Sequence, residues 1–255
     1  MKKPVLLLFF LALGVAMPAQ KLKLAPPQTP STRLLINKKA IIDFDFRMKN
    51  ALIRYTTDGS EPDSLSPVYR QPLLITKPCV IRAKSFSENF LPSDPITVQV
   101  LSLRTGGIDS IALSTSSEKY PASGWRTLCD GQLGDENFRQ GWLGFDVPEV
   151  SIHCIFKKRK KLKQVTLSLM RQQSAWIFLP RTIEILAEKG GLLVQHEITN
   201  ACEELPASLE IIKISLPKKK YRQLTIRLKA LPVLPDWHPG KGNTGWIFAD
   251  EVFME

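Results

Sequence analysis

The sequence contains few of the residues from which metal and thiol centres are usually built. Its 255 residues include only four cysteines and three histidines. The cysteines, at positions 79, 129, 154 and 202, lack the paired CxxC spacing of a zinc site, so no such site is predicted. An oxidising compartment would permit a disulfide. The spacing does not choose a pairing, and free buried thiols remain the alternative.

Long apolar runs are missing after the first twenty residues, where nothing approaches the ~18 consecutive apolar residues of a membrane-spanning helix. The start, MKKPVLLLFFLALGVAMPAQ, combines two lysines, an apolar run and small residues at Ala16 and Ala19. This pattern predicts a signal peptide over residues 1–19 that is cleaved after Ala19. We therefore expect a protein without a membrane span, located in the periplasm, at the cell surface or outside the cell.

Helical periodicity is also missing, and period-two alternation of apolar residues takes its place. It predicts strands at residues 41–48, 52–57, 80–86, 96–101, 163–170, 181–188, 209–215, 223–230 and 246–254. The turn dipeptide Asp58-Gly59 ends the second of them. The fold class predicted is all-β, with a small immunoglobulin-like β-sandwich over residues 20–103, a linker over 104–110 and a larger β-sandwich over 111–255.

Positive charge is in excess, with a formal net charge of +11, and it is concentrated in KKRKKLK (157–163) and KKKYR (218–222). Such runs can bind nucleic acid, lipopolysaccharide or acidic polysaccharide, because lysine and arginine release counterions from any polyanion. We favour the simpler interpretation of a solvated turn between strands, since each run directly precedes an alternating apolar segment. Nucleic acid is not expected as a partner.

Two longer stretches carry a family resemblance. Residues 53–94, IRYTTDGSEPDSLSPVYRQPLLITKPCVIRAKSFSENFLPSD, resemble the small C-terminal domain of chitobiases and β-hexosaminidases. The second half, through LCDGQLGDENFRQGWLGF (128–145), SLMRQQSAWIFLPRTIEILAE (168–188) and LPDWHPGKGNTGWIFADEVFM (234–254), resembles the discoidin, or factor 5/8 type C, galactose-binding-like fold. The tandem is similar to the accessory modules of Bacteroidetes family 20 β-N-acetylhexosaminidases.

The catalytic part of those enzymes is not recognisable here. Their chemistry rests on a His-x-Gly-Gly-Asp-Glu type segment within a barrel of about 250 residues, and this sequence has no such segment. The adjacent acids Asp250 and Glu251 follow an apolar strand instead. The protein is therefore predicted not to be an enzyme, although its modules are of a kind found in β-N-acetylhexosaminidases.

The resemblance implies a structural calcium ion as a possible cofactor. In the similar fold, an acid near the C-terminus meets an L-x-D-G loop, which places Asp130 and Glu251 in one coordination shell. Calcium takes six to eight oxygen ligands, and carbonyl groups would complete such a shell. The alternative is that Asp130 forms a turn with Gly131 while Glu251 is a solvated strand residue.

The resemblance also implies a glycan site in loops at one end of the larger sandwich, where an aromatic ring stacks on the sugar and polar groups bind its hydroxyls. The candidate ligand-binding residues lie in segments 170–176 and 236–246 and are Arg171, Trp176, Trp237, His238, Asn243 and Trp246. In the alternative interpretation, Trp176 and Trp246 are core residues. His238 has the alternative role of closing its loop by hydrogen bonding.

The function predicted from these features is that of a secreted, non-catalytic carbohydrate-binding accessory protein. The expected ligand is a glycan of N-acetylhexosamine or galactose type. An alternative of a different class is an interaction protein that docks a separately encoded glycosidase or a cell-surface protein. A third interpretation is a fragment of a family 20 enzyme, and the predicted signal peptide directly before the first sandwich argues against it.

Overall fold

The structure is a computed structural model that describes residues 21–36, 39–103 and 107–255. The predicted signal peptide, residues 1–19, lies outside this part, as do three residues of the predicted linker. The regular secondary structure of the described chain consists of β-strands and two short 3-10 helices, η1 (Gly124–Leu128) and η2 (Gln173–Ala175). The predicted all-β class with β-sandwich architecture is confirmed.

The N-terminal half contains six short strands. They are β1 (Arg33–Leu35), β2 (Ala40–Ile42), β3 (Leu52–Thr56), β4 (Leu73–Ile75), β5 (Cys79–Phe86) and β6 (Ile96–Leu101). One sheet has the order β1-β6-β5-β3, and β2 pairs with β4 in a second, two-stranded sheet. Alternate residues of β5 and β6, among them Ile81 and Val98, point into the same buried cluster as Ile42 of β2. The period-two pattern in the sequence therefore corresponds to one buried face.

The C-terminal half contains seven strands that form a second, larger sheet system. They are β7 (Ser110–Leu113), β8 (Leu143–Phe145), β9 (Glu149–Arg171), β10 (Thr182–Ala187), β11 (Leu192–Glu197), β12 (Ser208–Lys229) and β13 (Ile247–Met254). The pairing order is β11-β10-β12-β9-β13-β8, with β7 on the other part of β9.

Strands β9 and β12 are long enough to belong to two layers. Residues 149–155 of β9 and 223–229 of β12 pair with each other and with β7 and β10. Residues 160–171 of β9 and 208–221 of β12 also pair, and β13 joins them on the far side of β9. Ile152 and Ile226 from the first layer share one buried core with Leu167 and Val252 from the second. The two layers therefore enclose the main core of this half.

The two basic runs lie where β9 and β12 pass from one layer to the other, and the favoured interpretation of a turn between strands is wrong. The ladder register shifts between Ser215 and Lys219 and again between Tyr221 and Gln223, but pairing resumes after each irregularity. For the same reason the predicted strands 209–215 and 223–230 are two parts of β12. The consecutive lysines interrupt the apolar alternation, and the ladder is irregular beside them, but neither strand ends there.

Two further features are the absence of a membrane-spanning helix in the described residues and the state of the four cysteines. Within residues 21–36, 39–103 and 107–255, no helix is long and apolar enough to cross a membrane. All four cysteines are free, with Cys154 buried, Cys79 and Cys129 half-buried and Cys202 exposed. Burial raises the pKa of the Cys154 thiol far above its ordinary value, so this thiol is a core group and not a reactive one.

Candidate functional site

The acids Asp250 and Glu251 lie in the middle of β13, and neither residue is exposed to solvent. Ala249 pairs with Leu169 and Glu251 with Ser168, so Asp250 is the extra residue of a β-bulge. Strict alternation would send two neighbouring side chains to opposite faces of the sheet. The bulge breaks this alternation, and the carboxylates of both neighbouring residues lie inside the protein.

Asp250 is paired with a guanidinium group from the N-terminal half of the chain. Arg33, in β1, places Nη1 3.6 Å from Asp250 Oδ2, and the two side chains are 2% and 0% exposed. Arg33 also donates from Nη1 to the Gly134 carbonyl at 3.0 Å and from Nη2 to Ser168 Oγ at 2.8 Å. The Gly134 amide donates to Asp250 Oδ2 at 2.5 Å. This buried network joins the two halves of the chain, and the sequence analysis predicted none of its contacts.

Glu251 lies close enough to Asp130 for the two side chains to interact. Its Oε1 accepts a hydrogen bond from the Gly131 amide, whereas its buried Oε2 has no hydrogen-bond partner within the described part of the chain. Asp130 is exposed, and its Oδ1 accepts from the Gln132 amide at 2.8 Å in a local turn. The two carboxylates thus come from distant parts of the chain, and one of them is buried.

The pKa values reflect the cost of this burial. Burial raises the pKa of Glu251 to about 9; the Gly131 amide opposes the shift, and the Asp130 and Asp250 carboxylates add to it. Burial also raises the pKa of Asp250 to about 6, while Arg33, Ser168 and the Gly134 amide act in the opposite direction. Glu251 is therefore the carboxylate for which the protein supplies too little positive charge.

A cation fits this donor set only in part. Asp130 and the unpartnered Oε2 of Glu251 are hard oxygen ligands of the kind that Ca²⁺ prefers. Among the residues that the structure describes, no group of three or more His, Cys, Asp or Glu side chains is arranged to hold a metal ion. Any calcium site here would need backbone carbonyls or water for its remaining ligands.

Three of the six predicted ligand-binding residues meet at one pocket. Trp176, Trp237 and His238 line it together with residues of the segments 173–174 and 204–207. The His238 ring packs edge-on against both indoles, 5.4 Å from the ring centroid of Trp176 and 5.5 Å from that of Trp237. Both tryptophans are 37% exposed. The pocket therefore presents two partly exposed aromatic surfaces held by one buried ring.

His238 stabilises this pocket through hydrogen bonds at both of its ring nitrogens. The residue is only 4% exposed, and its Nδ1 accepts from the Gly240 amide at 3.0 Å. Its Nε2 lies 2.9 Å from the Gln173 carbonyl, so Nε2 carries the proton and donates. These bonds connect the loop 236–246 to the turn that carries Trp176, which is the loop-closing role considered as an alternative from the sequence.

The positions of the two tryptophans follow from local backbone features. Trp176 has φ 65° and ψ 18°, the left-handed conformation, after the single turn of η2. Its amide donates to the Gln173 carbonyl at 2.8 Å and its carbonyl accepts from the Trp246 amide at 2.8 Å. A Cβ added at Gly240 would lie 2.5 Å from the indole of Trp176, so glycine is required for this close approach. Trp237 is held by a 2.9 Å bond from Nε1 to the Cys202 carbonyl.

The other three predicted residues lie outside this pocket. Arg171 pairs with Glu210 at 3.2 Å and donates to the Pro206 carbonyl at 3.1 Å, in a neighbouring depression. Asn243 is exposed and donates to the Gly240 carbonyl at 3.1 Å. Trp246 is half-buried and packs edge-on against Tyr120 with ring centroids 5.1 Å apart. Its backbone fixes Trp176, whereas its ring belongs to a separate aromatic cluster.

The polar groups of the pocket were not predicted from the sequence. Ser174 and Glu204 are exposed and line it beside the two tryptophans. Nothing in the local sequence marks these positions, because the segment around Glu204 is brought to the pocket by contacts with residues that are distant in the chain. The bond from the Gln173 side chain to the Glu203 carbonyl, 2.8 Å, helps to hold that segment in place.

Comparisons with known proteins give one family match and several matches to solved structures. Residues 43–100 match the model of the Fn3 associated family, and no curated protein matches the chain. The chain is similar to the third CBM32 module of a family 31 glycoside hydrolase from Clostridium perfringens, with 16% identity, 60% of this chain and 92% of that one covered, and a TM-score of 0.41.

Two further solved structures are similar to different shares of this chain. The lectin domain of lectinolysin complexed with Lewis B antigen has 12% identity, covers 59% of this chain and 94% of its own, and has a TM-score of 0.40. A SusE-like protein has 11% identity and a TM-score of 0.39, and its match covers 90% of this chain and 95% of its own.

Proposed function

We propose that the chain is an exported, non-catalytic carbohydrate-binding protein whose glycan site is the pocket of Trp176 and Trp237. The observation that carries this proposal is the pair of partly exposed indoles that both pack against the buried His238 ring and line one pocket. Large, rigid aromatic side chains offer contact area at a low cost in conformational entropy. Ser174 and Glu204, at the same pocket, supply the polar groups that fix the orientation of hydroxyl-bearing ligands.

The ligand class is proposed from the family resemblance together with this geometry. A neutral glycan with a terminal N-acetylhexosamine or galactose presents an apolar ring face for the indoles and hydroxyls for the polar groups. Among the described residues that line the pocket, Glu204 is the only charged side chain, and its negative charge favours a neutral glycan over an anionic one. Export through the predicted signal peptide, to the periplasm or beyond, belongs to the same proposal.

A calcium ion is proposed as a structural cofactor next to this module. Asp130 and Glu251 would hold it, and it would supply the positive charge that the buried Oε2 of Glu251 lacks. Its effect would be to fasten the loop of residues 128–134 to β13. This role is separate from glycan binding, because neither carboxylate lines the pocket of Trp176 and Trp237.

The absence of catalysis is proposed from the position of the two acids. Glycosidases place a general acid and a second carboxylate on either side of an accessible sugar bond. Asp250 and Glu251 are both fully buried, and Asp250 is held by Arg33. The mature chain should release no nitrophenol from β-N-acetylglucosaminide or β-galactoside substrates. Turnover that disappears in Glu251→Gln would contradict this expectation.

The experiment that tests the binding function is a glycan array probed with the whole exported chain. A fragment that starts after residue 103 is unsuitable, since it removes Arg33 from its buried partners. Binding to neutral glycans that end in N-acetylhexosamine or galactose is expected, and Trp237→Ala should abolish it. An array without signal, combined with a co-purified glycosidase or surface protein that Trp237→Ala releases, would instead establish the docking alternative.

A further inference from the structure

The two basic runs, which are far apart in the sequence, form one surface in the fold. Residues 157–163 of β9 and 218–222 of β12 lie next to each other where the two strands cross between layers. Lys220 pairs directly with Lys161, and Lys219 pairs with Leu162. We refer to the exposed basic side chains of these two segments as the basic ridge.

The basic ridge is not neutralised by the protein. In the described part of the chain, no carboxylate lies within salt-bridge distance of its exposed lysine and arginine side chains, which are those at 157–159, 161, 163, 218–220 and 222. The neighbouring acid Asp109 accepts from the Lys157 backbone amide at 2.8 Å. Like charges directly opposite each other on paired strands destabilise a sheet. The fold tolerates this cost at Lys161 and Lys220, which points to a use for the charge outside the protein.

The side chains beneath the ridge make it a firm surface. Leu162 and Tyr221, within the two segments, and Leu216, two residues before the second one, are buried in the main core. The Tyr221 hydroxyl donates to the Pro217 carbonyl at 2.6 Å, which fastens the irregular part of β12. A strand segment of seven residues extends over about 20 Å, so several charges are presented along one line.

We propose that the basic ridge binds an extended anionic polysaccharide that carries carboxylate or sulfate groups. Lysine ammonium groups are flexible point charges, which suits repeated anions at variable spacing better than bidentate recognition of one planar group. This ligand differs in charge from the neutral glycan proposed for the tryptophan pocket, and the two surfaces share no residues.

Two other polyanions fit the ridge less well. Binding to an anionic membrane surface uses exposed apolar side chains as well as positive charge. None of the exposed large hydrophobic residues of the described chain lies at 157–163 or 218–222. Single-stranded nucleic acid is bound by stacking on exposed aromatics, whereas Tyr221, the aromatic residue of these segments, is buried.

The test measures binding of the whole exported chain to dextran sulfate and to polyguluronate, with neutral dextran of the same length as the reference. The variant K158Q/K219Q/K220Q removes three charges from the ridge, and K49Q/K77Q/K189Q removes three exposed charges elsewhere. We expect the ridge variant to lose at least about tenfold in affinity at moderate salt, and its slope of log affinity against log salt to fall by about two to three. The control variant should stay within about twofold of wild type.

Each outcome decides the proposal. Equal losses of affinity in the two triple variants would show that net charge acts without a defined surface, which would overturn the proposal. Failure of the wild-type chain to bind either anionic polysaccharide would also overturn the proposal. Tighter binding to phosphatidylglycerol vesicles or duplex DNA, lost in the ridge variant, would overturn the polysaccharide as the partner. Neutral-glycan binding in the ridge variant should equal wild type, so failure at the ridge is distinguishable from failure at the tryptophan pocket.

Discussion

Arg33 of β1 and Asp250 of β13 form a buried ion pair, with Nη1 3.6 Å from Oδ2, across the two halves of the chain. The pair is reinforced by hydrogen bonds from Arg33 to Ser168 and to Gly134. A buried charge depends on its partner, because neither group can return to water without local unfolding. The N-terminal sandwich therefore completes the interior of the C-terminal one.

The first prediction concerns this pair. Arg33→Met should lower the free energy of unfolding by about 3–5 kcal/mol, because it leaves the Asp250 carboxylate buried without a counter-charge. Urea denaturation of the whole chain measures the loss. The matched control is Arg47→Met, which removes the exposed pair of Arg47 with Asp45 and should have little effect. Similar small losses in both variants would show that Arg33 is not a stabilising partner.

The second prediction concerns calcium. If Asp130 and Glu251 share an ion, calcium at one hundred times its dissociation constant stabilises the folded chain by about 2.7 kcal/mol. A chelator should therefore lower the Tm of wild type and leave that of Glu251→Gln unchanged. Glu136→Gln, at an exposed residue outside this pair, should respond to the chelator as wild type does. Equal chelator responses in wild type and Glu251→Gln would argue against the site.

The third prediction concerns the two exposed tryptophans. Trp176→Ala and Trp237→Ala should each weaken glycan binding by about 2 kcal/mol, roughly thirtyfold, as expected for a central aromatic anchor. Because both residues are partly exposed, the Tm should fall only slightly. Leu192→Ala, which truncates an exposed apolar residue of β11 away from the pocket, is the control and should bind as wild type. Full affinity in both tryptophan variants would move the site elsewhere.

The fourth prediction separates support of the pocket from contact with the ligand. His238→Ala should destabilise the protein by about 1–3 kcal/mol, since it removes the acceptor of the Gly240 amide and one of the two donors to the Gln173 carbonyl, which keeps only the Trp176 amide. Asn243→Ala removes one bond at an exposed loop position and should cost much less. Thermal unfolding distinguishes the two variants. A His238→Ala protein with unchanged Tm and lost binding would instead assign the imidazole to the ligand.

The fifth prediction concerns the contact between Gly240 and the Trp176 indole. Gly240→Ala introduces a methyl group 2.5 Å from that ring and should displace it. We expect a changed tryptophan fluorescence spectrum together with weaker glycan binding. Gly191→Ala is the control, because an added Cβ there meets no atom within 4 Å. An unchanged spectrum with full binding in Gly240→Ala would show that the loop adjusts without moving the indole.

Much of the strand content was predictable, because apolar and polar residues alternate along a strand that has one buried face. The segments 52–57, 80–86, 96–101 and 246–254 correspond closely to β3, β5, β6 and β13. The prediction for 41–48 was too long, since β2 ends at Ile42. Strands β1, β4 and β8 have three residues each, too few to show a period, and they form because neighbouring strands offer free backbone partners.

The sequence by itself determined the all-β class, since a period of two in apolar residues is meaningful only for a pleated strand with one buried face. It also indicated the loops that carry Trp176, Trp237 and His238 and the two acids of the proposed calcium site. Only the tertiary structure brought Arg33 to Asp250, placed Ser174 and Glu204 beside the tryptophans, and joined the two lysine runs into one ridge. The physical reason is that local patterns record which side of a strand is buried, whereas the partner across a sheet or between sandwiches is chosen by packing among segments that are distant in the chain.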